Sequence, residues 1–250
     1  MFLKGKTALI TGSTSGIGAA YAAALAAEGA NVIINGFGDA AAIAEQCAAL
    51  EASSGARTIH NGADLTNGEQ VTAMAEACAA EFGGIDILIN NAGIQHVCPV
   101  DEFPVDKWRQ MQAIMVDAPF LLIRSCLPYM KAKGWGRIIS TASAHASVAS
   151  PNKSAYIAAK HGVLGLTRGV AMEVAEKGIT VNVICPGYID TEMVQAVPEK
   201  VLEGIVATIP VGRLGKAEEI AGCVSFLAGP DSAFMTGATL TANGGQYITG

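Results

Sequence analysis

Short apolar runs recur along the chain at intervals that leave room for a helix between them. Residues 7–11 (TALIT), 31–35 (NVIIN), 58–62, 85–89 (IDILI), 137–141 (RIIST), 179–184 (ITVNVI) and 238–242 read as strands, the third being the weakest. Near-continuous apolar strands suit a parallel sheet covered on both faces, where neither side meets water. Between them, Ala-rich stretches at 19–27, 40–50, 66–82, 104–133, from the run holding Tyr156 to about 177, and 216–227 read as helices. The alternation is broken by no repeat, low-complexity tract or linker, so it predicts one α/β domain over residues 1–250. Its architecture is a single doubly wound parallel sheet, Rossmann-like, with helices on both faces. Residues 188–213 carry Pro198 and Pro210 and no long regular pattern, and are expected to form a lid over the site.

Composition narrows the function classes. The 16 basic residues against 22 acidic ones give a net charge of −6, which disfavours nucleic acid or an anionic membrane as partner. The six cysteines are scattered without a CxxC pair, and no His cluster has metal-ligand spacing. A disulfide framework and a metal site are therefore not expected, and a reducing, cytoplasmic setting is. The start, MFLKGKTALITG, is too short in apolar residues for a signal peptide, and no apolar run is read as approaching the ~18 residues of a membrane span.

Candidate chemistry gathers at strand ends. The first strand runs into GSTSGIG, where Gly12, Gly16 and Gly18 would let backbone approach a diphosphate at a helix N-terminus. The spacing is GxxxGxG, so the dinucleotide fingerprint is met in mechanism and not in letter. After the second strand, Asn35-Gly36-Phe37-Gly38 supplies neither an acid for a ribose 2′-hydroxyl nor an Arg for a 2′-phosphate, and Asp39 suits a helix cap. The missing cation leans toward NAD. Asp64 could meet an adenine amino group or cap the next helix, and Asn90-Asn91-Ala92-Gly93 suits either a cofactor crevice or a plain turn. Tyr156 and Lys160, four apart on a helix, share one face, and Ser143 can approach it from a strand end. An ammonium beside a phenol favours the phenolate, so the trio reads as an acid/base site for a carbonyl or alcohol. Packing plus a solvated charge is the plainer alternative for the pair alone.

Together, Thr11-Gly12-x3-Gly16-Ile17-Gly18, Asn90-Asn91-Ala92-Gly93, Ser143, Tyr156-x3-Lys160 and Pro186-Gly187 resemble the short-chain dehydrogenase/reductase family over essentially the whole chain. The resemblance implies that Ser143 bonds the carbonyl oxygen, Tyr156 exchanges its proton, and Lys160 lowers the Tyr pKa and holds the nicotinamide ribose. It implies that NAD, with NADP still open, touches Gly12, Thr14, Ser15, Gly16, Ile17, Gly18, Phe37, Asp64, Leu65, Asn91, Ala92, Gly93, Tyr156, Lys160, Pro186, Gly187, Ile189 and Thr191. Residues 36–171 are similar to D-3-hydroxybutyrate dehydrogenases, whose carboxylate contacts fall on Gln95, His145 and Lys153; Tyr188 stands where they carry a Trp. From Pro186 onward the chain looks like acetoacetyl-CoA and other 3-oxoacyl reductases, with Val197 near an expected Gln and Gln246 in place of another Trp. The resemblance thus implies a small 3-hydroxy acid as substrate, a 3-oxoacyl thioester as the alternative, and a homotetramer. One departure stands out: Met115 occupies the place of an Asn that holds a relay water in the family. A chain with impaired chemistry that only binds nucleotide is the alternative of another class.

Overall fold

The computed structural model describes residues 1–248 and, of Met193, the backbone alone; residues 249 and 250 of the expected domain lie outside the described residues. Seven strands form one parallel sheet: β1 (Thr7–Ile10), β2 (Asn31–Asn35), β3 (Thr58–Asn61), β4 (Ile87–Asn90), β5 (Gly136–Thr141), β6 (Ile179–Pro186) and β7 (Thr239–Ala242). Their order is β3-β2-β1-β4-β5-β6-β7, so the chain reverses direction across the sheet between β1 and β4. That switch point leaves a crevice at the carboxyl ends of the strands.

Side chains one apart on a strand enter different cores. Leu9, Ile33, Leu88, Ile138 and Val181 pack with α3 (Gly68–Phe82), α5 (Ala118–Lys133) and α6 (Ser154–Val174). Ala8, Ile10, Val32, Ile34, Ile87, Ile89 and Ile139 pack on the other face with α1 (Gly16–Ala27) and α9 (Ala217–Ala228). Burial on both faces is why the strands read as unbroken apolar runs.

Three elements differ from the sequence expectation. The long helix of 104–133 is divided: α4 (Val105–Gln112) and α5 are joined by a widened turn at Ala113–Asp117, where the Ala118 N–H reaches back to Ala113 O. Pro119 has no N–H to return to the Met115 carbonyl, and widening the turn is how a helix absorbs that loss. The run Val105–Lys133 is also, at 29 residues, long and apolar enough to cross a membrane by length and composition, against expectation. Of its apolar residues, Leu122, Ile123, Cys126 and Met130 lie in the core. Finally, the segment expected to be irregular holds two helices, α7 (Glu192–Gln195) and α8 (Glu199–Ala207).

Candidate active site

The turn after β1 is shaped by backbone contacts that leave no space for side chains. Gly12 has φ +61, and a Cβ there would lie 2.8 Å from the Ala92 Cα. A Cβ on Gly18 would meet the Gly12 carbonyl oxygen at 2.1 Å. Asn91 ties the two strand ends together, its Nδ2 donating to Thr11 O and Gly12 O at 3.0 Å each. Thr11 Oγ1 accepts from the Asn91 and Ala92 amides at 3.0 and 3.1 Å. The first turn of α1 has neither a side-chain cap nor an acidic residue. Its amides and dipole therefore remain available to an anion, and a dinucleotide diphosphate fits this cradle.

At the far end of the crevice, Thr14 Oγ1 donates to Phe37 O at 2.9 Å and His60 Nε2 lies 2.9 Å from Gly36 O. Asp39 caps α2 (Ala40–Ser54), accepting from the Ala41 and Ala42 amides at 3.0 Å. Asp64 closes its own turn, accepting from Thr66 N and Oγ1 at 2.8 Å, and the cap of α3 is Asn67. Among the described residues neither Lys nor Arg borders this part of the crevice, so a 2′-phosphate would find no cation among them.

The proposed chemistry sits between β5 and α6. Ser143 is in extended backbone just past β5 and opens a single 3₁₀ turn, Ala144–Ala146, its Oγ accepting from the His145 amide at 3.2 Å. Lys153 stands at the N-cap of α6, three residues before Tyr156. One turn beyond Tyr156, the Lys160 ammonium donates to Thr141 O at 2.7 Å and lies 5.5 Å from the phenol ring. Lys160 is only 4% exposed, and burial pushes its pKa down to about 8. Burial also raises the Tyr156 phenol, and the nearby Ser143 hydroxyl opposes the rise. The net direction for Tyr156 is upward, against the lowering expected from Lys160: dehydration of the anion outweighs the neighbouring groups.

Around this group, the His145 ring is buried with Nδ1 3.4 Å from Ser143 Oγ and Nε2 2.6 Å from Ser150 Oγ. Burial, reinforced by the Lys153 charge, lowers its pKa to about 4, so the imidazole is neutral at pH 7. The Lys153 ammonium faces the Tyr188 ring at 5.9 Å, and burial lowers its pKa too.

Every candidate named from the sequence for cofactor, chemistry or substrate lines one cleft of about 880 Å³. Met115 lies behind it: a Cβ on Gly93 would be 3.4 Å from Met115 Sδ and 3.6 Å from Lys160 Nζ. Val197 does not line the cleft, whereas Val194 and Glu192 of α7 do. Tyr247 also lines it and was not foreseen. The Asn243-Gly244-Gly245 turn carries it there, with Asn243 Nδ2 donating to Tyr247 O at 2.7 Å. Gln246 ties this wall to the end of α8 by donating to Thr208 Oγ1 at 2.7 Å.

Comparison with known proteins places this geometry in company. The family model described as enoyl-(acyl carrier protein) reductase matches residues 12–246. A D-beta-hydroxybutyrate dehydrogenase of Rhizobium meliloti is 44% identical over 96% of this chain and 98% of its own. An acetoacetyl-CoA reductase of the same organism is 42% identical over 97% of this chain and 99% of its own. Among solved structures, a blue fluorescent protein from a metagenomic library, in complex with NADPH, superposes with a TM-score of 0.93 at 37% identity, covering 99% of this chain and all of that one.

Proposed function

Because the chain belongs to the short-chain dehydrogenase/reductase family, we propose that it is an NAD-dependent oxidoreductase of a small 3-hydroxy acid, 3-hydroxybutyrate, and its 3-oxo partner acetoacetate. The observation that carries this reading is the Lys153 ammonium, held at the N-cap of α6 one turn from Tyr156, in the same cleft as Gln95 and His145. A cation with two polar neighbours is what a small carboxylate needs to leave water. Both nitrogens of His145 already face serines, so Lys153 supplies the charge and His145 a shared hydrogen bond.

The cofactor cradle is Gly12, Thr14 to Gly18 and Asn91 to Gly93, with Pro186, Gly187, Ile189 and Thr191 on the opposite wall. The cation-free Asn35–Phe37 end favours NAD over NADP. When bound, the nicotinamide supplies the hydride donor or acceptor. The chain's own residues do the rest. Ser143 donates to the substrate oxygen, Tyr156 gives or takes its proton, and Lys160, anchored on Thr141 O, holds the ribose and lends positive charge to the phenolate. The segment 188–213, with α7 and α8, serves as the lid.

A second reading, reduction of a 3-oxoacyl thioester, draws support from the rim. Tyr188 and Gln246 are smaller than the Trp residues expected of a hydroxybutyrate pocket and leave room for a longer acyl group. We also infer a cytoplasmic homotetramer: the six cysteines are free, and Phe226, Phe234 and Met172 expose apolar surface suited to subunit contact. Turnover of 3-hydroxybutyrate and of acetoacetyl-CoA, each with both nicotinamide cofactors, tests the reading. A preference for the free acid with NAD is expected; preference for the thioester with NADPH would replace it by the second.

A further inference from the structure

As the donor to the substrate oxygen, Ser143 must keep its one hydrogen free, and a serine hydroxyl turns about its C–O bond unless its lone pairs are held. There are two of these. One is taken within its own 3₁₀ turn, where the His145 amide donates to Ser143 Oγ at 3.2 Å. The other faces the His145 ring, whose Nδ1 is 3.4 Å away. The position of the hydrogen between these two atoms decides what Ser143 can do, because a hydroxyl that donates to Nδ1 has nothing left for a substrate.

Distances at the two ends of the imidazole place that hydrogen. Neutral at pH 7, the ring carries one. Its Nε2 lies 2.6 Å from Ser150 Oγ. O–H donors approach to about 2.5–3.0 Å and N–H donors to about 2.7–3.2 Å. The Nε2 contact is thus shorter than an N–H donor makes and suits the Ser150 hydroxyl as donor. At Nδ1, 3.4 Å is beyond the reach of a hydroxyl donor and nearer to that of an N–H. Both ends therefore put the hydrogen on Nδ1. The buried ring is fixed edge-on against Tyr156, 6.0 Å between centroids at 78°. Ser150, half-buried on the loop before α6, does not line the cleft, so it reaches the chemistry only through His145.

We propose that His145 and Ser150 are positioning residues for Ser143: Ser150 donates to Nε2, the Nδ1 hydrogen is donated to Ser143 Oγ, and the Ser143 hydrogen is left for the substrate oxygen alone. This rests on the reading of Ser143 as the donor to that oxygen. With both lone pairs engaged by His145, the hydroxyl hydrogen has one direction left, into the cleft that Ser143 lines together with Tyr156. A donor already turned toward the oxygen on which charge develops need not reorient during the reaction. No proton passes through the imidazole, so its tautomer is the same before and after turnover. Burial and the Lys153 charge both oppose an imidazolium and keep the ring in this neutral form.

Ser150→Ala removes the donor to Nε2 without altering the cleft wall. Its kcat/KM should fall roughly tenfold, a part of the 10²–10³-fold loss that deleting such a donor outright brings. The factor should be the same for 3-hydroxybutyrate and its methyl ester, because the effect acts on the reacting oxygen. Ser150→Thr, which keeps a hydroxyl, should recover most of the loss, and the NAD Kd should hold in both variants. Independently of activity, the ¹⁵N shifts of His145 in the free protein should report hydrogen on Nδ1 in wild type and Ser150→Thr, and on Nε2 in Ser150→Ala. Hydrogen on Nε2 in wild type would overturn the proposal, as would a loss in Ser150→Ala confined to the free acid, which would assign the imidazole to the carboxylate alone. Wild-type turnover by Ser150→Ala beside an inactive Ser143→Ala would overturn it and leave the reading of Ser143 standing. Full activity in Ser143→Ala would overturn that reading and the proposal with it.

Discussion

The two walls of the cleft are built by different means. The wall of Gly12–Gly18 and Asn91–Gly93 is backbone against backbone: a single methyl on Gly18 would sit 2.1 Å from a carbonyl oxygen. The wall of Lys153, Tyr188, Gln246 and the four-residue helix α7 is made of side chains. The first wall can change little without losing its ligand, whereas the second can be re-cut residue by residue. One fold can therefore keep a cofactor and change its substrate.

Substitutions that act on one wall alone would break or sharpen that contrast. Tyr156→Phe, at the junction of the walls, should have the largest effect, lowering kcat by about 10²–10⁴-fold with cofactor affinity retained, as read by steady-state kinetics and cofactor titration. Gly18→Ala should be felt as overpacking, about 1–3 kcal/mol in denaturant midpoint, with NAD affinity lost along with it. An unchanged NAD Kd there would deny the backbone wall its role. Lys153→Ala should do the opposite, raising KM for the acid about tenfold or more through loss of a charge-assisted bond while the NAD Kd stays. Unchanged KM would remove Lys153 from the carboxylate site.

A pH measurement probes His145 without substrate. Its folded pKa of about 4 lies below the ordinary value near 6.5. Between those values the unfolded chain binds the proton first, so stability falls as pH drops through that window. The urea midpoint of wild type should therefore decline more from pH 6.5 to 4 than that of His145→Gln; parallel curves would show the imidazole to be less dehydrated than its burial implies. The smallest expected effect belongs to Met115→Asn, which should retain or modestly raise kcat. A tenfold loss without unfolding would contradict the placing of Met115 beside Lys160.

The backbone wall was legible in the sequence because glycines are fixed by geometry: strand, turn and helix in succession place Gly12, Gly16 and Gly18 before any contact is known. Tyr156 and Lys160 were legible for a similar reason, since helical spacing alone sets them on one face. Helix α8 was not, because a short helix between Pro198 and Pro210, with Gly204 inside it, has too weak a periodic signal. Nor was the widened turn at Ala113–Asp117, although Pro119 is its local cause. Asp64 had two readings, and only the bonds to Thr66 show how its carboxylate is engaged. Ser150 carried no signal at all: its distance from His145 is a property of a folded loop, in which Asn152 takes φ +62 and its carbonyl accepts from Cys98 N at 2.9 Å.

The claim on which the account turns is that the side-chain wall selects a carboxylate by the charge of Lys153. It is tested most directly by kcat/KM for 3-hydroxybutyrate against its methyl ester, with NAD, in wild type and in Lys153→Met. Wild type should prefer the acid by about tenfold or more, as a charge-assisted hydrogen bond is worth, and Lys153→Met should lose that preference. Equal use of acid and ester by wild type, or a preference that survives in Lys153→Met, would contradict it.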